Sequence, residues 1–431
     1  MEYLDFAPLM RELGDLKSYF DLKCEYGSAD ALRPIYDRLK QALADAQRAY
    51  DAVPPDAALA AKEPDGYDAI EALCEGGNTA VPVENLNEKM AGAVLGRFIG
   101  CLLGVPVEGY AIERMKKIAA HCGMEFPPRG YWREVERPWD KQYGDSPRTG
   151  YRESSMNCVC CDDDITYTIL GLLVLEKYGF DFTTAQVGEF WKAHLPMACT
   201  AEHVALENLK AGVPAEQAAD LNNPYVQWIG ADIRADGFAF AAAGNPHLAA
   251  KLAYRDAYLS HRRNGIYGEM FFAAVEAAAF TVADPMDAIR IGLREIPREC
   301  ELHKAIEWAL ETAPAIHDYA EARAAVDEHF AGMHAVHTIN NACLVVFGLQ
   351  IGKGNFTDTI SEVVAMGLDN DCTGATAGSI LGAFVGRSGI DAHWTAHFND
   401  TVRTYLTGFE TLSISDVTAR FVALASNQPA N

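Results

Sequence analysis

Gly92-Ala93-Val94-Leu95-Gly96-Arg97-Phe98-Ile99-Gly100-Cys101-Leu102-Leu103-Gly104 and, far downstream, Gly374-Ala375-Thr376-Ala377-Gly378-Ser379-Ile380-Leu381-Gly382-Ala383-Phe384-Val385-Gly386 decide the fold. Both runs are largely apolar and carry glycine at every fourth place. Glycine costs about 1 kcal/mol in a helix interior relative to alanine, so four on one face must return something. A spacing of four lies along a single surface ridge. Each run therefore predicts a helix with a side-chain-free strip, on which another backbone can close. Ile165–Tyr178, Gly268–Ala283 and Ala342–Leu349 add further apolar, Ala-rich segments, and β-branched alternation is scarce. The chain reads as all-α, a compact multi-helix bundle.

Acidic residues stand at the mouths of these helices. Asp162, Asp163 and Asp164 run straight into an apolar segment, Asp369 and Asp371 precede the second glycine run, and Glu108 closes the first. At an effective dielectric near 20, two charges about 4 Å apart repel by roughly 4 kcal/mol. At the mouth of a buried helix such a cluster needs a counter-charge, which divalent cations with oxygen ligands supply. The oxygen donors select Mg²⁺, Mn²⁺ or Ca²⁺ over zinc. This many carboxylates exceeds what one Mg²⁺ takes from protein, so a pair of ions is expected. Asp369 and Asp371 would face apart on one helix but converge at a helix start, which is expected at Thr373 with Asp371 just before it. Either cluster alone could be a capping segment with solvated spare charges. Two clusters in one chain weaken that reading, and the glycine strips offer a way to bring them together.

The bulk properties exclude some function classes. Lys+Arg is 36 against Asp+Glu 60, a formal net charge of -24, which argues against nucleic acid as a partner. No apolar run reads as long enough to span a membrane, and the N-terminus shows no signal-peptide pattern. Eleven scattered cysteines suit free thiols in a cytoplasmic protein. Cys158, Cys160 and Cys161 lack zinc-site spacing, so no zinc is expected there. His334 and His337 read as neighbours on one helix, more in keeping with local hydrogen bonding than with ligation. Ser260-His261 lacks a nucleophile elbow, and no phosphate-binding glycine loop is present.

Along the chain, residues 1–86 read as an N-terminal helical extension and linker packed on the main body, with Leu9, Leu13, Leu16, Tyr19 and Phe20 at helical spacing. Residues 87–431 form the body. Within it, Phe126–Cys161 is rich in Pro, Gly, Arg, Trp and Tyr, and so long a loop suggests a lid or substrate loop.

In order and spacing, the motifs resemble the ADP-ribosylglycohydrolase family, which includes the dinitrogenase-reductase-activating glycohydrolases and the ADP-ribosyl-acceptor hydrolases. The run from Gly92 through Pro106 to Glu108 is similar to the family's opening glycine motif. Asp162-Asp163-Asp164-Ile165 is similar to its Thr-Asp-Asp-Thr segment, and the stretch from Asp369 to Gly378 to its G-D-x-D-T segment. Gly244 through His261 resembles its middle region, and the resemblance spans roughly residues 88–390. It implies an all-α fold of that type holding two Mg²⁺ ions, with Mn²⁺ as the alternative. The implied ligands are Asp162, Asp163, Asp164, Asp369 and Asp371, with Cys372 or Thr373 nearby and Glu108 beside the metals. The implied reaction is hydrolysis at the anomeric carbon of an ADP-ribosyl or related ribosyl group. Asp369 or Asp371 would activate the water, with Glu108 as the alternative base. Three residues depart from the pattern: Cys101 for Asp, Asp162 for Thr and Cys372 for Thr. The substrate is therefore open between an ADP-ribosylated protein and a small ribosyl metabolite, and a non-catalytic homologue remains the third reading.

Overall fold

The computed structural model describes residues 3–77, 79–143 and 146–429. It divides into two compact units, Met1–Ala61 and Lys62–Asn431. The first carries helices α1 (Ala7–Glu25) and α2 (Ala29–Asp51). Residues 62–86 belong to the second unit by their contacts. Glu63 is buried and accepts hydrogen bonds from Asn264 Nδ2 and the Glu301 amide, and the Tyr67 amide donates to Tyr254 Oη.

The second unit is predominantly helical. The helices that position the site are α3 (Leu86–Gly104), α4 (Asp163–Tyr178), α5 (Thr200–Lys210), α6 (Ala235–Ala241), α7 (Asn264–Ala279), α8 (Thr338–Gly352), α9 (Phe356–Ala365) and α10 (Asn370–Val385). Two short strands, β1 (Thr401–Arg403) and β2 (Thr411–Ser413), pair antiparallel with Thr401 opposite Ser413.

The glycine strips meet as their period predicts. A Cβ on Gly92 would overlap the Gly382 carbonyl, one on Gly96 the Gly378 carbonyl, and one on Gly100 the Gly374 carbonyl. The α3 and α10 backbones therefore touch along their length. Gly386 ends α10 with φ 71, a left-handed conformation that glycine adopts without a Cβ penalty.

Two expectations need correction. By length and composition alone, the 22-residue stretch Leu86–Val107 is long and apolar enough to cross a membrane, but its most apolar 18-residue window is 89% buried inside the fold. In the sequence the apolar run begins only after Asn87, Glu88 and Lys89, but the helix extends back through them to Leu86. His334 and His337 do not share a helix either: they precede α8, and His337 is its N-cap.

The described residues of segment 126–161 form one short 3-10 turn, Arg148–Tyr151, and are otherwise irregular but anchored. Trp132 is fully buried, and its Nε1 donates to the Leu103 carbonyl at the end of α3 at 2.8 Å. Tyr131 Oη donates to the Trp394 carbonyl at 3.0 Å. The Val159 amide donates to the Thr401 carbonyl at 2.8 Å, tying the segment to β1.

Candidate metal centre

The glycine ladder ends where the acids begin. Gly104 abuts the backbone of Asp371, so the close of α3 delivers Glu108 toward the start of α10. A second tether fixes the pair: the Gly109 amide donates to the Leu368 carbonyl at 3.0 Å. Leu368 is left-handed, φ 60, a conformation that costs a non-glycine residue about 1–2 kcal/mol. Together with Gly367, φ 75, it turns the chain so that α10 starts at Asn370, earlier than the expected Thr373. Asp369 is therefore the N-cap and Asp371 sits inside the first turn. Asp162 caps α4 and accepts from the Asp164 amide at 3.1 Å.

The acids converge in three overlapping groups. Glu108, Asp369 and Asp371 form one, Asp164, Asp371 and Cys372 another, and Asp162, Asp163 and Asp164 the third; within each, one ligand atom per residue lies within 4.8 Å of the others. Asp371 and Asp164 each belong to two groups, which makes the cluster continuous. Asp162 and Asp164 are fully buried, Asp371 and Asp369 nearly so, and Glu108 is exposed at the mouth. Thr373 stands apart. Its hydroxyl donates to the Asp369 carbonyl at 3.1 Å, and Cys372 takes the cavity-facing place.

Burial and mutual repulsion push these carboxyls up. Asp163 rises to about 6 through burial and then Asp369. Asp164 rises to about 7 through burial, opposed by Arg97. Asp371 is held well above the usual range by burial, then by Glu108 and Asp369. Glu108 is pushed up to about 8 by burial of its carboxyl, then by Asp369 and Asp163, although the residue as a whole is exposed.

Two protein cations act on this charge: Arg97 pairs with it directly, and Arg148 partly offsets the rise at Glu108. Buried Arg97 donates to Asp164 Oδ1 at 2.6 Å and pairs with Asp236 Oδ2 at 3.2 Å. Among the described residues it is the one ion-pair partner of the cluster, so most of the negative charge stays uncompensated. Asp162 Oδ2 and Asp371 Oδ1 are buried without a hydrogen-bond partner, which is costly for carboxylate oxygens. Hard, converging, unsatisfied oxygens fit a divalent cation.

Glu108, Asp163, Asp369, Asp371 and Cys372 line a cavity of about 160 Å³, whereas Asp162 and Asp164 are not part of its lining. The lining also includes Tyr143, Tyr167, Cys199, Glu202, Ile229 and Val336, which no local pattern in the sequence marks. Glu202 is buried and accepts from Arg234 Nη1 at 2.7 Å. Ser260 and His261 hydrogen-bond to each other at 2.8 Å but do not line this cavity.

A family model described as ADP-ribosylglycohydrolase matches residues 82–428. No curated protein matches the chain significantly. A solved structure described as an ADP-ribosylglycohydrolase-related protein complex is similar in fold, with TM-score 0.53 and 19% identity over 79% of this chain and 98% of that one.

Proposed function

We propose a hydrolytic function from the premise that the chain belongs to the ADP-ribosylglycohydrolase family: metal-dependent cleavage of a glycosidic bond at the anomeric carbon of an ADP-ribosyl or related ribosyl group. The observation that carries it is the convergence of acids from three distant segments on one cavity, with two buried carboxylate oxygens left unsatisfied.

Asp162, Asp163, Asp164, Asp369 and Asp371 would hold the ions, Mg²⁺ or Mn²⁺, with Glu108 at the edge. Bound there, the ions would supply Lewis acidity and a fixed positive field for the ribose hydroxyls and the developing charge. The chain's own groups do the rest. Asp369 or Asp371, with Glu108 as the alternative, takes a proton from the attacking water. The water oxygen bonds to the anomeric carbon, the glycosidic bond breaks, and the proton held by the carboxyl passes to the leaving group, which restores the base. Tyr143, Ile229 and Val336 keep bulk water from the ribose. The eleven free thiols suit a reducing, cytoplasmic setting.

The size of the cavity keeps a second reading in play. At about 160 Å³ it falls below the roughly 300–1,000 Å³ of sites that enclose a drug-sized ligand. It suits a ribosyl unit whose remainder lies at the mouth, so a free ribosyl metabolite is the rival substrate. A panel of arginine- and serine-linked ADP-ribosylated proteins and free ribosides, assayed with Mg²⁺ or Mn²⁺ and again after chelation, tests the proposal. Metal-dependent turnover of either class that is lost in Asp371→Asn supports hydrolysis. Metal binding with no turnover of any member would leave a non-catalytic homologue.

A further inference from the structure

The two ligand groups that share Asp371 are chemically unlike. Glu108, Asp369 and Asp371 offer three carboxylates, whereas Asp164, Asp371 and Cys372 offer two carboxylates and a thiol. We propose that the second group holds a thiophilic divalent ion of the Zn²⁺ or Co²⁺ class while the first holds Mg²⁺ or Mn²⁺, so that Asp371 joins two unlike metals. This rests on reading the acids as a metal site.

The geometry supports a shared ion at the sulfur. Cys372 Sγ lies 3.2 Å from Asp164 Oδ2. With Zn–S near 2.3 Å and Zn–O near 2.1 Å, two donors on one tetrahedral ion stand roughly 3.6 Å apart. A movement of a few tenths of an ångström would accommodate the ion. Asp164 presents Oδ2 to the sulfur because Arg97 occupies its Oδ1. The third donor is also available: Asp371 Oδ1 is buried without a hydrogen-bond partner.

Charge and hardness point the same way. Arg97 offsets Asp164, which leaves Asp371 and a thiolate to balance a divalent ion. Mg²⁺ demands near-octahedral oxygen at about 2.0–2.1 Å and keeps several waters. Sulfur is a poor donor to it. Zn²⁺ and Co²⁺ accept a mixed sulfur and oxygen set and outrank Mn²⁺ at such sites. On binding, the S–H bond breaks, a metal–sulfur bond forms and the proton leaves to solvent, as happens when a metal takes a thiol ligand. No electron is transferred.

The test is Co²⁺ titration of the full chain in a large excess of Mg²⁺, read by absorbance and by bound-metal analysis. The expected result is one equivalent of Co²⁺ that Mg²⁺ does not displace, with a near-ultraviolet sulfur-to-cobalt charge-transfer band. That band should vanish in Cys372→Thr and Cys372→Ser and persist in Cys158→Ser. Co²⁺ binding without a sulfur band in the wild type, ready displacement by Mg²⁺, or loss of the band in Cys158→Ser would overturn the inference while leaving an all-oxygen site intact. The wild-type spectrum decides this even if a variant misfolds. A chain whose thermal midpoint no divalent ion moves would overturn the metal site itself.

Discussion

Gly104 is the rung of the ladder nearest the cavity, and Gly104→Ala should uncouple the site from the fold. A methyl there would overlap the amide N and Cα of Asp371 and stand 2.5 Å from the Asn370 carbonyl oxygen. Two terms favour alanine: helix propensity, about 1 kcal/mol, and burial of one methyl, about 0.8 kcal/mol. Against them stands a contact roughly 1 Å too close. The obstructing atoms are backbone, with no rotamer to relieve them, which puts the overpacking cost toward the upper end of about 1–3 kcal/mol. The net loss of unfolding free energy is then only about 1 kcal/mol. The larger effect falls on the ligands. A backbone shift of roughly 1 Å exceeds the tolerance of about 0.5 Å for a preorganised site, so divalent-ion affinity should fall about 10–100-fold. Gly96→Ala is the control. Its methyl would meet the Gly378 carbonyl carbon at 2.7 Å, some two turns from the acids, so it should lose comparable stability but keep its ion affinity. Urea denaturation and calorimetric titration with Mn²⁺ read the two quantities. Wild-type affinity in Gly104→Ala, or equal loss in both variants, would refute the reasoning.

Three further outcomes follow from the same cluster. Asp371→Asn should leave metal-free stability unchanged or raised, because it removes one of several repelling charges, and its thermal midpoint should respond far less to Mg²⁺; equal metal-induced shifts in both proteins would count against the assignment. Arg97→Met strands buried Asp164 and Asp236 and should cost about 3–5 kcal/mol in denaturant unfolding, whereas a loss under about 1 kcal/mol would show that Arg97 is not the counter-charge. The third outcome is a pH dependence of the metal-free protein. Asp163 and Asp164 titrate near about 6 and about 7 when folded, against about 3.9 when unfolded. Between those values the folded state binds more protons, so stability falls as pH rises from about 4 to about 7. The midpoint in chelator should drop across that window and flatten with saturating Mg²⁺, and a rising midpoint in chelator would contradict the sign.

The parts of this site that were legible in the sequence are local. Adjacent acids and a four-residue glycine period can be read within a dozen residues, and the contact of the two strips then brings the acids together. What was missed is long-range. Arg97 lies inside the first glycine run, yet nothing in that run shows that its guanidinium reaches Asp164, Asp236 and Thr376. A lone arginine in an apolar helix was nevertheless a signal that buried acids must answer it. Glu202 and Tyr143 come from separate segments and reach the cavity only through tertiary packing. Helix α10 starts three residues before Thr373, the start that the sequence suggests, and the left-handed turn at Gly367 and Leu368 that sets this has no marker at Leu368. Thr373 was expected near the metals because a threonine stands beside the acids in the family pattern. Here the cysteine occupies that register, and the threonine hydroxyl bonds back into its own helix.

The contact of main chain with main chain along α3 and α10 also bears on how this scaffold can change over evolutionary time. The separation between the two acid-bearing ends is set by peptide groups alone, with no side chain between them to serve as an adjustable shim. The smallest possible substitution in either strip inserts a whole methyl, so the spacing can change only in coarse steps and never by gradual tuning. Diversification of what the cavity accepts must then fall on segments outside the ladder, such as those carrying Tyr143, Cys199 and Ile229, which can change while the span across the acids stays fixed.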